Sequence, residues 1–151
     1  MPNPLKIEDS IEIAKSVDKV YAIYMDTDNI PKVVDGVVRV ERLSDTRSRW
    51  SWERGGLSWT EEMELVSTKP NERAEWKTGG ELFTCKAVTE FHEVDGDRTR
   101  VVHRNEYVPR VGGDIASLAG STPLGPIVDE AKHVLKATLR KAKQYIEANG
   151  G

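Results

Sequence analysis

The stretch that decides the fold lies at the C-terminus and reads PLGPIVDEAKHVLKATLRKAKQYIEAN (residues 123–149). Its apolar or small residues recur at the spacing of one helical face: Leu124, Ile127, Val128, Ala131, Val134, Leu135, Thr138, Leu139, Ala142, Tyr145 and Ile146. This spacing predicts a single helix over 123–148. Because so long a helix is marginal alone in water, it needs a broad apolar surface to pack on.

The rest of the chain is predicted to supply that surface as β-strands. Alternating residues predict a strand at 5–13, followed by a helix that Ser16 caps and that continues to about Met25, and by a short helix at 29–34. Six more strands are predicted, at 37–44, 47–54, 57–66, 72–78, 83–94 and 98–108. The order predicts one α+β domain over 1–151, a seven-stranded antiparallel curved sheet wrapped around the long C-terminal helix.

The turns between these strands predict which residues face each other. Three sets of pairs follow: Arg54–Leu57 with Trp50–Glu61, Val94–Arg98 with Cys85–Tyr107, and Thr78–Phe83 with Trp76–Cys85. These registers place all four tryptophans on one apolar face, which is predicted to be the core face. The connections at 55–56, 79–82 and 109–122 each contain a Gly-Gly pair and are expected at one end of the sheet, as the mouth of a cavity.

Composition excludes several classes of protein. The chain has 151 residues, 38% of them hydrophobic and 31% charged, which is ordinary for a soluble globular domain. The net charge of −3 comes without a basic stripe, so a nucleic-acid partner is not expected. Cys85 is the only cysteine, which excludes an internal disulfide and a cysteine metal cluster. No signal-peptide pattern or bilayer-length apolar run is present, and we predict a cytoplasmic protein without stable membrane insertion.

The chain resembles the START-like, Bet v 1-like (SRPBCC) superfamily with the helix-grip fold, and within it the polyketide cyclase/dehydrase and coenzyme-Q-binding branch. The residues that carry the resemblance are IEDSIEIAKSVDKVYAIYMD (7–26), RSRWSWE (47–53), SWTEEMELVSTKPNERAEW (58–76), TRVVHRNEYVP (99–109) and the final helix. The resemblance implies an internal hydrophobic cavity under the long helix. Because long insertions are absent, a large lipid cargo is less expected than a small, flat ligand.

The tryptophans can be interpreted in two ways, as filling of the core or as an aromatic wall for a flat apolar ligand. Cys85 is interpreted as a small core residue. The residues predicted to line the ligand site are Trp50, Trp52, Trp59, Met63, Trp76, Cys85, Asn105, Val128 and Leu135.

Three polar residues on the predicted inner face are candidates for catalysis. Glu61 is either a structural partner of an arginine, or wrongly placed by a register slip, or a general base with a raised pKa. Tyr107 is either a core tyrosine or a hydrogen-bond donor to a substrate oxygen. His103 is either a satisfied core histidine or a group that orients a ligand. Asn105 either orients a ligand oxygen or amide or satisfies the backbone of the helix.

The resemblance and these residues lead to two hypotheses. The first is a cofactor-free and metal-free polyketide cyclase/aromatase-like protein, which closes and dehydrates a polyketide intermediate with Glu61, Tyr107 and His103 as catalytic residues and an acyl carrier protein as the delivering partner. The second is a non-catalytic carrier or sensor of a quinone, lipid or other hydrophobic small molecule. Whether the chain is an enzyme, and whether it is a monomer or a homodimer, is left open.

Overall fold

The computed structural model describes residues 5–54, 56–79, 83–109 and 124–149. Its helices are α1 (Val17–Met25), α2 (Ile30–Val33) and α3 (Leu124–Asn149), and one 3-10 turn (Thr27–Asn29) joins the first two. Its strands are β1 (Leu5–Ile13), β2 (Val37–Arg42), β3 (Arg47–Arg54), β4 (Leu57–Lys69), β5 (Arg73–Gly79), β6 (Phe83–Asp95) and β7 (Arg98–Pro109). Every predicted element is present, and about half of the boundaries shift by one to three residues while the others are unchanged.

The strands form one antiparallel sheet in the order β1-β7-β6-β5-β4-β3-β2. Sequential hairpins build six of these strands, and β1 then pairs with β7 along its whole length. The predicted α+β architecture with a long C-terminal helix is therefore confirmed. Ser16 occupies the N-cap position of α1 as predicted, but its side chain makes no capping hydrogen bond.

The predicted registers are confirmed in part. The β3–β4 pairs, including Trp50 with Glu61, are as predicted, because the short turn fixes the alignment. In β6–β7, Cys85 lies opposite Tyr107 as predicted, but the starting pair is wrong: Arg98 pairs with Asp95, and a bulge lies between Glu93 and Asp95.

The predicted β5–β6 register is wrong by two residues. Thr78 pairs with Cys85, and Trp76 pairs with Ala87 rather than lying beside Cys85. A displacement of two residues keeps every side chain on its predicted face, because side chains alternate with a period of two. The inner face therefore keeps its predicted composition although the neighbours change.

The two halves of α3 have different surroundings. In the C-terminal half, Leu139, Ala142 and Ile146 are buried in a packed cluster with residues of β1, α1 and the β6–β7 hairpin. In the preceding turns, Ala131, Val134, Leu135 and Thr138 border a cavity, although Leu135 also belongs to the packed cluster. The helix is thus anchored at one end by core packing and spans an opening at the other.

Polar contacts hold α3 against the segment that contains α2. The backbone N–H of Asp35 donates to Thr138 Oγ1 over 3.0 Å, and Lys141 Nζ donates to the carbonyl of Pro31 over 2.9 Å. The Tyr145 hydroxyl donates to Asn29 Oδ1 over 3.2 Å. These contacts hold α3 beside the α2 segment, and residues of both border the cavity described below. No described helix is long and apolar enough to cross a bilayer.

Candidate functional site

A cavity of about 870 Å³ lies between α3, α2 and the inner face of the sheet. This volume falls in the range of small-molecule sites, about 300–1,000 Å³. The predicted site residues that border it are Trp50, Trp52, Trp59, Glu61, Met63, Trp76, Cys85, His103, Asn105, Tyr107 and Leu135. The side chain of Val128 lies outside the described part of the structure, as do most of the glycine-rich connections that were predicted to form the mouth.

Three of the tryptophans form one aromatic group on the wall made by β3 and β4. The rings of Trp52 and Trp59 are stacked with their planes 2° apart and their centroids 5.9 Å apart. Trp50 follows at 6.2 Å from Trp52, tilted by 33°. Trp50 is 8% exposed but Trp59 is 39% exposed, so the group extends from the core to the surface.

The indole N–H groups of these three tryptophans differ in whether they have a hydrogen-bond acceptor. Trp50 Nε1 donates to Ser48 Oγ over 2.9 Å, and Trp59 Nε1 donates to Glu61 Oε1 over 3.3 Å. Trp52 Nε1 is buried and has no hydrogen-bond partner in the described structure. The aromatic wall therefore has one buried polar donor that the described residues leave unsatisfied.

Glu61 is half-buried and borders the cavity. Burial raises the pKa of its carboxyl group, and the hydrogen bond from Trp59 opposes this change. Within the described residues Glu61 forms no ion pair, and the confirmed β3–β4 register excludes a slip. Within the described residues, therefore, we find neither the arginine pair nor the register slip that the sequence left open for Glu61.

A chain of hydrogen-bonded side chains crosses the inner face of β6 and β7. The Thr89 hydroxyl lies 2.8 Å from His103 Nδ1, and His103 Nε2 lies 3.0 Å from Asn105 Oδ1. Asn105 and the Cys85 thiol also act on the pKa of the Tyr107 hydroxyl, and Thr89 acts on the pKa of Tyr24. A polar cluster on β6 and β7 therefore extends from the buried Thr89 to the cavity.

Burial keeps the titratable members of this cluster neutral. It lowers the pKa of His103 to about 4, against the hydrogen bond with Asn105, which favours the protonated form. The His103 ring is half-buried by area because one side borders the cavity. Burial, with a smaller contribution from the Glu61 carboxylate, raises the pKa of Cys85 to about 12.

The pKa of Tyr107 is raised for the same main reason as that of Cys85. Burial raises the pKa of its hydroxyl, and the Cys85 thiol and the Glu61 carboxylate raise it further, while the hydrogen bond from Asn105 lowers it. At neutral pH the hydroxyl therefore keeps its proton and can act as a donor. Glu61 and Tyr107 both border the cavity.

Sequence reasoning missed lining residues that come from outside the sheet and one that belongs to the polar cluster. Those that border the cavity are Tyr24, Ile30, Val33, Val34, Ala131, Val134 and Thr138. Thr89 does not border the cavity, but its hydroxyl lies 2.8 Å from His103 Nδ1. The apolar face of α1 was visible in the sequence, but only the tertiary packing shows which sheet residues it meets. Within the described ranges, no group of three or more His, Cys, Asp or Glu side chains could hold a metal ion.

Comparison with known proteins identifies the family. A family model described as polyketide cyclase/dehydrase and lipid transport matches residues 4–147. An uncharacterized 17.2 kDa protein from Streptomyces lincolnensis is 29% identical over 146 residues, which are 96% of this chain and 91% of that protein.

Solved structures share the fold. A START superfamily protein from Mycobacterium smegmatis superposes with a TM-score of 0.76 at 14% identity, over 95% of this chain and 97% of that one. The Zhui aromatase/cyclase from Streptomyces sp. R1128 superposes with a TM-score of 0.67 at 19% identity, over 96% and 94%. The chain therefore belongs to the polyketide cyclase/dehydrase and lipid transport family.

Proposed function

We propose that this protein binds a flat, hydrophobic poly-β-ketone chain in its cavity and promotes its closure by aldol addition and dehydration. The observation that carries the proposal is the pairing of Glu61, a carboxylate with raised pKa and no ion pair in the described structure, with Tyr107, a neutral donor on the same cavity. Family membership supports the substrate class. An acyl carrier protein would deliver the chain.

The chemistry needs only proton transfer and a confined shape. Glu61 removes a proton from the carbon between two carbonyl groups, and the carbanion attacks a distant carbonyl carbon of the same chain. Tyr107 donates to the oxygen of the attacked carbonyl, where negative charge develops. The proton taken from carbon ends on the new hydroxyl group, so the addition is balanced. Dehydration then removes this hydroxyl and a second α-hydrogen as water and leaves a carbon–carbon double bond.

The aromatic wall would supply the orientation. Holding two carbons of one flexible chain close together contributes much of the rate acceleration of a ring closure, because it replaces a random encounter by a prearranged one. The stacked pair Trp52 and Trp59 offers a flat surface for a planar product. Trp52 Nε1, which has no partner in the described structure, would be satisfied by a ligand oxygen.

A carrier or sensor is the second candidate, because most of the residues that border the cavity are apolar and would bind a quinone or similar ligand without turnover. The two candidates differ in what Glu61 does. In a carrier this carboxylate contributes to affinity alone, whereas in a cyclase it also accepts a proton from carbon.

The test compares Glu61→Gln with wild type in two assays on one poly-β-ketone mimic, binding by tryptophan quenching and product formation by chromatography. Glutamine keeps the shape and the hydrogen bond from Trp59 but cannot act as the base. We expect turnover to fall by about two to four orders of magnitude with little change in affinity. The matched control is Glu64→Gln, an outward-facing carboxylate on the same strand, opposite Lys77. Equal turnover in wild type and Glu61→Gln would refute the catalytic role, and saturable binding without any product would favour the carrier.

A further inference from the structure

We propose that the outward face of α3 is the docking surface for an acidic helix of the acyl carrier protein. The surface, which we call the cation row, consists of Lys132, Lys136 and Arg140, which are exposed and lie four residues apart. Residues at this spacing share one face of a helix, and at a rise of about 1.5 Å per residue the row is about 12 Å long. The inference deepens the proposed function, on which it rests for the identity of the partner.

The cation row has no anionic partner in the described structure. None of its three side chains forms an ion pair or a hydrogen bond with a described residue, whereas Lys143, further along the same helix, pairs with Glu147. Like charges four residues apart on a helix repel each other and destabilise it. An acidic helix lying along the row would relieve this repulsion, and this charge complementarity is the basis of the proposal.

A groove of about 400 Å³ lies beside the cation row, between α3 and β1. Lys132 and Lys136 border it together with the buried side chains of Ile7 and Leu135. Leu135 borders the large cavity as well as this groove. A partner seated on the row would therefore lie next to the helix segment that covers the cavity, and the chain that it carries would start close to its binding site.

Two carboxylates on the β1 side of the groove limit where an acidic partner can lie. Glu8 Oε1 is 3.1 Å from Arg104 Nη1, and Asp9 Oδ1 accepts a hydrogen bond from the backbone N–H of Ser10 over 2.8 Å. Both groups are thus engaged within the sheet and do not neutralise the cation row. Because they would repel further acidic groups, they confine the partner helix to the α3 side of the groove.

An anionic membrane is the main competing occupant of this surface. Among the described residues, the exposed large apolar side chains that would insert into a bilayer lie on strands and their connections, and none lies on α3. The chain carries a net charge of −3, so an extended anionic surface would repel it, whereas one helix meets only the row, within a screening length of about 8–10 Å. A nucleic acid is not favoured either, because three cations over two helical turns fall short of the basic stripe typical of its partners.

The experiment measures binding to the acyl carrier protein of a bacterial aromatic polyketide synthase by isothermal titration calorimetry. Lys136→Glu should weaken binding about two- to thirtyfold, because it removes one attraction and adds one repulsion, each of the size of an exposed ion pair. The same variant should melt at an equal or higher temperature than wild type. The new carboxylate lies four residues from both Lys132 and Arg140, where opposite charges attract.

The matched control is Lys77→Glu, which makes the same change of charge on the outer face of the sheet. Lys77 is exposed and lies between Glu64 and Lys86 on the neighbouring strands, so the gain and the loss of charge pairs should nearly cancel. This variant should bind the carrier protein like wild type. Raising the salt from about 50 mM to about 500 mM should weaken binding of wild type more than that of Lys136→Glu, because salt screens exposed charges.

Several results would overturn the inference. These are equal binding by wild type and Lys136→Glu, equal weakening by Lys136→Glu and Lys77→Glu, and no binding of wild type to the carrier protein, whether or not it binds phosphatidylglycerol vesicles. A fall in melting temperature that accounts for the lost binding of Lys136→Glu would overturn it too.

The proposed function fails or stands separately from this docking surface. Glu61→Gln should bind the carrier protein like wild type, since Glu61 borders the cavity and not the groove. Unchanged turnover in Glu61→Gln would therefore count against the catalytic role alone, and unchanged carrier binding in Lys136→Glu against the docking surface alone.

Discussion

Replacing His103 by glutamine should change how the stability of this protein depends on pH. The His103 ring sits between Thr89 and Asn105, 2.8 Å and 3.0 Å away, and glutamine can still donate to one and accept from the other. Burial lowers the pKa of His103 from 6.5 to about 4. The substitution therefore removes a titrating group and keeps most of the hydrogen bonding.

The sign and size of the effect follow from linkage. Between pH 6.5 and about 4 the unfolded chain binds a proton at His103 and the folded protein does not, so acid favours unfolding over this range. The fall of the pKa from 6.5 to about 4, at about 1.4 kcal/mol for each pH unit, removes on the order of 3 kcal/mol from the free energy of unfolding as the solution is acidified from pH 7 to pH 4. The contribution of His103 to the free energy of unfolding is therefore fully present above pH 6.5 and is lost below about pH 4.

Urea unfolding at pH 4, 5, 6 and 7, followed by tryptophan fluorescence, measures this dependence. The contributions of all other titrating groups to the pH dependence of stability cancel when His103→Gln is compared with wild type at each pH. We expect the free energy of unfolding of His103→Gln to rise relative to that of wild type as the pH falls. His92→Gln, at an exposed histidine, controls for the substitution itself. A difference between His103→Gln and wild type that stays constant from pH 4 to 7 would refute the neutral, buried state of this ring.

Two further predictions concern other parts of the cavity. Because burial raises the pKa of Glu61 above 4.5, the folded protein holds this proton more tightly than the unfolded chain. Wild type should therefore lose stability relative to Glu61→Gln as the pH rises above 4.5, by about 1.4 kcal/mol for each pH unit up to the folded-state pKa. Thermal melts from pH 4 to 8 measure this, and a constant difference would contradict it. Leu139→Ala, in the packed end of α3 at 2% exposure, should lower the unfolding free energy by about 2–5 kcal/mol. Val134→Ala, beside the existing cavity, should lower the unfolding free energy by less. Urea unfolding of both variants measures the two losses, and equal losses would argue against a cavity under this half of the helix.

The registers show where sequence reasoning succeeds and where it fails. The β3–β4 alignment was predictable because a two-residue turn leaves few ways to pair the strands that flank it. The β5–β6 alignment was wrong because a longer connection does not specify the pairing, and Thr78 meets Cys85 instead of Phe83. In β6–β7 a bulge at Val94 changes the first pair, and a single sequence carries no clear signal for such an insertion.

The site was predictable to the extent that it depends on faces. Alternation along β3, β4 and β7 placed Trp50, Glu61 and Tyr107 on the inner face, and the two-residue displacement in β5–β6 left those assignments unchanged. The contribution of α1 was not predictable in the same way. The rings of Tyr24 and Phe91 lie 5.6 Å apart because the elbow after β1 folds the helix back onto the sheet.

By itself the sequence determined the order of the elements, the face of each strand that is buried and the helix that must cover it, because these depend on local periodicity. The tertiary structure decided the rest. Whether the four tryptophans fill a core or border a space depends on how α3 and α2 pack over the sheet, and the contacts of Thr138, Lys141 and Tyr145 join these two helical segments. The neutral state of His103 depends on its burial, which no local pattern in the chain encodes.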